Sequence, residues 1–187
     1  MNDSKPLNVF DYEQLARQKL HPAIWDYLAA GADDEVTLAR NRSSFERIAI
    51  RPNLLADVER VDTSTTVLGQ SISAPIMIAP TGQHAFVCPE AEIATATAAA
   101  ATNSILIAST SSSRSIEEIR AAAAYPVWFQ LYLFRDRGRS AAMVRRAEAS
   151  GTGRLQSLTA APVTHRRCPA RWHSAAAHQG RWAPRHW

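Results

Sequence analysis

Three short stretches of the 187-residue sequence place polar groups where an α/β chain could use them. The first is Ala79-Pro80-Thr81-Gly82, at the end of an apolar run over 75–79. The second is Ser109-Thr110-Ser111, directly after the apolar run at 104–108. The third is Gln130 and Tyr132 within Trp128-Phe129-Gln130-Leu131-Tyr132-Leu133-Phe134. On an extended strand successive side chains point to opposite faces, so Phe129, Leu131 and Leu133 share one face and Gln130 and Tyr132 the other. A buried amide without partners costs on the order of 1–3 kcal/mol. A flat heterocycle with imide donors and acceptors is one partner for Gln130; neighbouring protein groups are another, and the residues alone leave both open. On the residues alone, the serines at 109 and 111–113 and the hydroxyl of Thr81 read more readily as ordinary loop and turn residues than as ligands.

Parallel α/β folds bind ligands at the carboxyl ends of their strands, and the order of elements here predicts such a fold. Strands are expected at 75–79, 104–108 and 127–134, with helices at 89–103, 115–124 and 139–150 between and after them. Ser115 and Glu118 form a capping box, and Gly151 stops the last helix. The strand centres near 77, 106 and 130 recur at the spacing of parallel strands joined by crossover helices. That spacing does not separate a barrel from an open sheet. Before this alternation, Asp11 is expected to cap a helix through Leu20, Pro22 to begin one that stops near Gly31, and Asp33 to cap one over 34–47. A hairpin follows, with strands at 66–68 and 71–73 around Gly69-Gln70.

Several stretches resemble the FMN-dependent α-hydroxy-acid oxidases and dehydrogenases, the family that includes glycolate oxidase, lactate oxidase, L-lactate dehydrogenase and mandelate dehydrogenase. They are Trp25-Asp26-Tyr27-Leu28-Ala29-Ala30-Gly31-Ala32-Asp33-Asp34-Glu35, Asn41-Arg42 with Phe45, Arg51-Pro52, Pro75-Ile76-Met77-Ile78-Ala79-Pro80-Thr81 and Phe129-Gln130-Leu131-Tyr132. Together they cover about residues 7–151 in order. The resemblance implies an α/β fold, part of a TIM (β/α)8 barrel of the FMN-linked oxidoreductase type, preceded by helices and a β-hairpin. It implies FMN as cofactor and a small L-2-hydroxy acid, such as lactate, glycolate or mandelate, oxidised to the 2-oxo acid. Tyr27 resembles the tyrosine that binds the substrate carboxylate. Ala79, Pro80, Thr81 and Gly82 resemble the segment packed against the flavin, with Gly82 at a position often held by alanine. Ser109 resembles the serine that touches the flavin ring, and Gln130 the amide on its pyrimidine edge. Tyr132 resembles the catalytic tyrosine near the substrate hydroxyl and carboxylate. Ser111 stands where some members carry a bulky aromatic in the substrate pocket. A full-length member is expected to be a homo-oligomer.

Composition divides the chain near Gly151. Residues 1–150 hold 15 Lys and Arg against all 17 Asp and Glu; residues 151–187 hold six Arg, no acid, three of the five Trp and four of the six His. The family's fourth strand ends in Thr-Val-Asp-x-Pro, followed closely by Gly-Arg-Arg. Here the sequence reads Leu158-Thr159-Ala160-Ala161-Pro162 and then His165-Arg166-Arg167, with Ala160 at the aspartate position. Arg154, Gln156 and Ser157 interrupt the apolar run expected of a buried strand, so that strand is expected to form poorly. The family's late histidine base, arginine pair and flavin-edge lysine have no counterpart here. The expected organisation is therefore a barrel portion over 1–151 and an aberrant basic tail over 152–187, read as the product of a shifted frame or a decayed gene, or as a disordered segment. The rival function is a truncated, inactive fragment. His165, Cys168, His173 and His178 have spacings a zinc site could use, yet Arg, Ala, His, Trp and Pro also arise together when GC-rich coding DNA is read out of frame; neither metal nor nucleic acid is expected as a ligand. The 46% apolar content holds no stretch of about 20 apolar residues, so no membrane span is expected. Two cysteines and an N-terminus without a basic-then-apolar pattern point to a cytoplasmic protein.

Overall fold

The computed structural model describes residues 5–55 and 57–158. They fall into two compact units, divided after Leu55.

The first unit is helical: α1 (Val9–Lys19), α2 (Pro22–Ala29) and α3 (Val36–Ser43), then a 3-10 turn at Phe45–Arg47. The cap of α1 is Asn8 and not Asp11. Asn8 Oδ1 accepts from the backbone of Phe10 and Asp11, while the Asp11 carboxylate accepts from Leu7 and Asn8 at 2.7 and 3.3 Å. Asp11 is thus the returning half of a capping box. Pro22 opens α2 as expected, with His21 as its cap. α3 is shorter than the expected 34–47, because Asp33 and Glu35 have φ of 50° and 58° and cannot be helical. The Glu35 carboxylate accepts from Gly31 N at 3.0 Å and holds that turn.

The second unit begins with a hairpin of β1 (Thr65–Val67) and β2 (Gln70–Ile72). Its turn is Leu68-Gly69, one residue earlier than expected, with φ of 49° and 83°. Two left-handed residues make the turn whose twist matches paired strands. The alternation then runs α4 (Glu92–Ala101), β3 (Leu106–Ser109), α5 (Ile116–Ala122), β4 (Val127–Tyr132), α6 (Arg137–Ala149) and β5 (Arg154–Leu158). The sheet order is β3-β4-β5, all parallel.

Two strand expectations need correction. The run at 75–79 forms a single parallel bridge, Ile78 to Leu106, and no extended strand. Pro75 and Pro80 remove backbone donors at both ends of the run, and Ile76 N turns back to Ala74 O. The run at 154–158, expected to pair poorly, lies parallel to β4 over five residue pairs, from Trp128↔Arg154 to Tyr132↔Leu158. Pairing is carried by backbone groups, and the Arg154 guanidinium stays exposed, donating to Leu68 O at 2.8 Å.

The two faces of the sheet are filled differently. Ala96 and Ala99 of α4, Ile116 and Ile119 of α5 and Ala147 of α6 pack with Leu106, Ala108, Val127, Phe129 and Leu131. Each fully buried Ile, Val or Phe contributes about 1.5–3 kcal/mol. The opposite face carries Ile105, Ile107 and Trp128 with Ile72 of the hairpin. Trp128 Nε1 donates to Gln70 Oε1 at 2.5 Å, and the Tyr125 hydroxyl donates to Ser71 O. Sequential parallel strands with α4, α5 and α6 on one face are common to a portion of a barrel and to one half of a doubly wound sheet, and the described residues form no closed barrel.

Candidate functional site

The face opposite the helices carries Ile105, Ile107 and Ser109 along β3 and Trp128, Gln130 and Tyr132 along β4, because the pleat alternates. Apolar residues occupy its amino-terminal part, against the hairpin, and polar residues its carboxyl end. Ser109 and Gln130 are register partners there.

Gln130 is 1% exposed. Its Oε1 accepts from Ser109 Oγ at 3.1 Å and from Thr110 N at 3.4 Å. Thr110 Oγ1 donates to Gln130 O at 2.6 Å and accepts from Tyr132 N at 2.9 Å. Ser109 Oγ also accepts from Ser111 N at 3.1 Å. These bonds set the amide with its oxygen toward Ser109. Gln130 Nε2 is left buried with no hydrogen-bond partner among the described residues. A native interior seldom leaves a donor in that condition, so the group needs an explanation.

Residues 79–82 lead from the Ile78 bridge into the loop beside this end. Ala79 and Thr81 are exposed, Pro80 and Gly82 half-buried. Thr81 Oγ1 turns back to Ala79 O at 3.4 Å, so its hydroxyl serves the local turn. A β-carbon on Gly82 would stand 2.9 Å from both Cβ and O of Ser111, and Gln83 N donates to Ser111 O at 3.1 Å. The loop after Ile78 therefore lies directly on the loop after β3, in contact too close for a side chain at Gly82. Tyr132 ends β4 with 42% of its surface exposed.

The second unit thus gathers Ala79, Pro80, Thr81, Gly82, Ser109, Gln130 and Tyr132 on adjoining strand ends and loops. Tyr27 belongs to the first unit, on α2, 49% exposed. The histidines and Cys168 of the tail lie outside the described residues. Sequence reasoning missed two members of the constellation. Thr110, whose hydroxyl links β3 to β4, was legible only as one hydroxyl among several. Glu92 is 2% exposed and accepts from Ser113 N at 2.8 Å, Arg114 N at 3.1 Å and His84 N at 3.3 Å. Its signal was present: Glu92, Ala96 and Ala99 fall on one helical stripe, which places an acid in phase with the buried face. Burial opposes its ionisation. Backbone N–H groups of Ser113, Glu92 itself, His84 and Arg114 outweigh that and hold the carboxyl below its ordinary range.

The sequence profile described as FMN-dependent dehydrogenase matches residues 16–183, past the compositional break at Gly151. A peroxisomal (S)-2-hydroxy-acid oxidase of Oryza sativa subsp. indica is 42% identical over 167 residues, 89% of this chain and 46% of the relative. A glycolate oxidase of Spinacia oleracea is 47% identical over 144 residues, 77% of this chain and 39% of the relative. A Nostoc L-lactate oxidase is 42% identical over 168 residues, 88% of this chain and 46% of the relative. A crystal structure of mandelate oxidase superposes with a TM-score of 0.79 at 36% identity, covering 82% of this chain and 44% of that one. An oxidised active mutant of (S)-mandelate dehydrogenase gives 0.80 at 35% identity, covering 83% and 44%. The chain spans less than half the length of these relatives. One of them is peroxisomal by name, so the relatives lend no support to the cytoplasmic expectation.

Proposed function

The chain belongs to the FMN-dependent dehydrogenase family, and on that premise we propose that it forms the flavin-facing part of an enzyme oxidising a small L-2-hydroxy acid to the 2-oxo acid. The observation that carries this reading is the buried, unpartnered Nε2 of Gln130. The residues present fit the cofactor. A flavin ring edge offers carbonyl acceptors, and a carboxamide held by Ser109 and Thr110 presents an N–H donor with nothing else to satisfy. Residues 79–82 supply an exposed, turn-held edge beside it, and Ser109 a hydroxyl.

FMN, when bound, supplies the two-electron chemistry. Gln130 would hold the ring edge, Ser109 would fix the direction of that amide, and Ala79, Pro80, Thr81 and Gly82 would pack on the ring through backbone and small groups. Tyr132 is the residue proposed to meet the substrate hydroxyl and carboxylate, and Tyr27 the second carboxylate ligand. A phenol is suited to both duties because its hydroxyl can donate to a carboxylate and accept from a hydroxyl. The substrate pool is lactate, glycolate or mandelate, as the names of the relatives suggest. Ser111, small and exposed at the mouth, sets no narrow limit on substrate size.

A second reading applies to the chain by itself. It spans less than half of its relatives, and as an isolated polypeptide it would hold FMN weakly and turn over no substrate. Assaying a full-length form with FMN and each of the three acids tests the first reading, with 2-oxo acid production as the expected result. No oxidation of any 2-hydroxy acid would refute it. Turnover by purified 1–187 would refute the second.

A further inference from the structure

Glu92 takes no part in the flavin reading, yet it is the most deeply buried acid among the described residues. It sits in the first turn of α4, entered through Ala91 at φ 51°, ψ −132°. That backbone conformation is strained for any residue with a β-carbon. Among the described residues its carboxylate meets no cation. The Arg114 guanidinium turns away to Pro89 O at 2.9 Å, and the His84 ring shares a hydrogen bond with Thr95 Oγ1. Among the described residues, charge compensation comes from backbone N–H groups. Those groups belong to two loops: His84 to the loop after Ile78, and Ser113 and Arg114 to the loop after β3. Two further bonds join the same loops, Ala85 N to Ser113 Oγ at 3.1 Å and Gln83 N to Ser111 O at 3.1 Å.

We infer that Glu92 is a positioning residue: one buried carboxylate clamps the loop over 79–86 to the loop over 109–114 and sets the spacing between the 79–82 edge and the Ser109–Gln130 pair. The clamp stands on geometry; its value to the cofactor rests on the flavin reading above. An ionised carboxylate has lone pairs for all three N–H groups, whereas a carboxamide of the same size has one acceptor oxygen and a competing NH2. Glu92→Gln therefore tests the acceptor and the charge with little change of volume.

Amide hydrogen exchange of the full chain, without FMN, is the decisive measurement. In Glu92→Gln the amides of His84, Ser113 and Arg114 should exchange about tenfold faster or more, as expected when bonds to a charged acceptor are lost, while the β3–β4 ladder keeps its protection. Acidifying the unmodified chain should loosen the same three amides, after correction for intrinsic exchange, and the variant should lack that pH dependence. A purely structural role would raise exchange in ladder and loops alike. Unchanged loops, or equal loosening of the ladder, would overturn the clamp. If the variant does not fold, the acid titration of the unmodified chain decides by itself. Added FMN then separates the two ideas. In a full-length form, no response of exchange to FMN sinks the flavin reading and leaves the clamp; unaltered FMN affinity there in a Glu92→Gln variant with loosened loops sinks the positioning role.

Discussion

Ser109 gives its hydroxyl proton to Gln130 Oε1 across the β3–β4 ladder, between residues that are register partners. One rotamer of the amide is thereby selected, and its NH2 has no hydrogen-bond partner among the described residues. In a full-length form, Gln130→Ala should weaken FMN binding by tenfold or so, the worth of about one buried hydrogen bond, and affect turnover less at saturating flavin. Tyr132→Phe should do the reverse, lowering kcat with little change in flavin affinity. Flavin titration alongside steady-state kinetics with L-lactate, glycolate and mandelate reads both. Equal, negligible effects of the two changes would refute the placement.

Purified 1–187 should bind FMN weakly. On the proposed reading the described residues would meet the flavin ring edge alone, and the resemblance implies that phosphate-holding loops come from later barrel units. Quenching of flavin fluorescence gives the affinity. A yellow protein with stable micromolar binding would contradict this.

Ala91→Gly should stabilise the chain by about 1 kcal/mol. Relief of a backbone conformation suited to glycine returns roughly 1–3 kcal/mol, and loss of one buried methyl costs about 0.8 kcal/mol. Urea unfolding monitored by circular dichroism decides; a lower midpoint in the variant would show that the turn before α4 is not strained.

Acid should destabilise the second unit through Glu92. Its folded carboxyl lies below the ordinary value because backbone donors outweigh burial. A depressed folded pKa adds stability above the unfolded value of about 4.3, and that stability disappears as pH falls through the folded value. Glu117, held low by its hydrogen bond to Arg146, acts in the same direction, but that pair is about half exposed and weighs little. The urea midpoint should fall on acidification below about pH 4, and less steeply in Glu92→Gln. Identical slopes in the two proteins would remove Glu92 from the account.

We further propose that residues from about 152 onward arise from a shifted reading frame. The motivation is the abrupt loss of acids after Glu148 together with the surge of Trp and His. Translating the gene beyond codon 151 in the other two frames should restore a strand ending in Thr-Val-Asp and, later, a His-Gly-Gly or His-Gly-Ala segment. If neither frame does so, the proposal falls, and the family match through residue 183 stands as the better guide to the tail.

The sequence revealed elements that carry strong local chemistry. The Ser115–Glu118 capping box, Pro22 at a helix start and the alternation of Phe129, Gln130 and Leu131 all appear where their residue types require. What it hid depended on partners distant in the chain. Pro75 and Pro80 looked like the edges of a strand, but pairing at that edge shrank to the Ile78 bridge. Arg154 looked too polar for a sheet, because its exposed place beside Leu68 O is set by a hairpin 86 residues earlier. Glu92 drew no reading from the sequence, since its three loop donors lie eight or more residues away.

The order of the sheet also governs how the chain can acquire its shape. Ser109 meets Gln130 at a separation of 21 residues, and each later strand pairs with the one just before it. Such pairings keep loop-closure entropy small, so assembly can proceed one strand and one helix at a time as the polypeptide leaves the ribosome. On that route β4 can dock on β3, and the Gln130 amide can acquire its orientation from Ser109, before β5 has been synthesised.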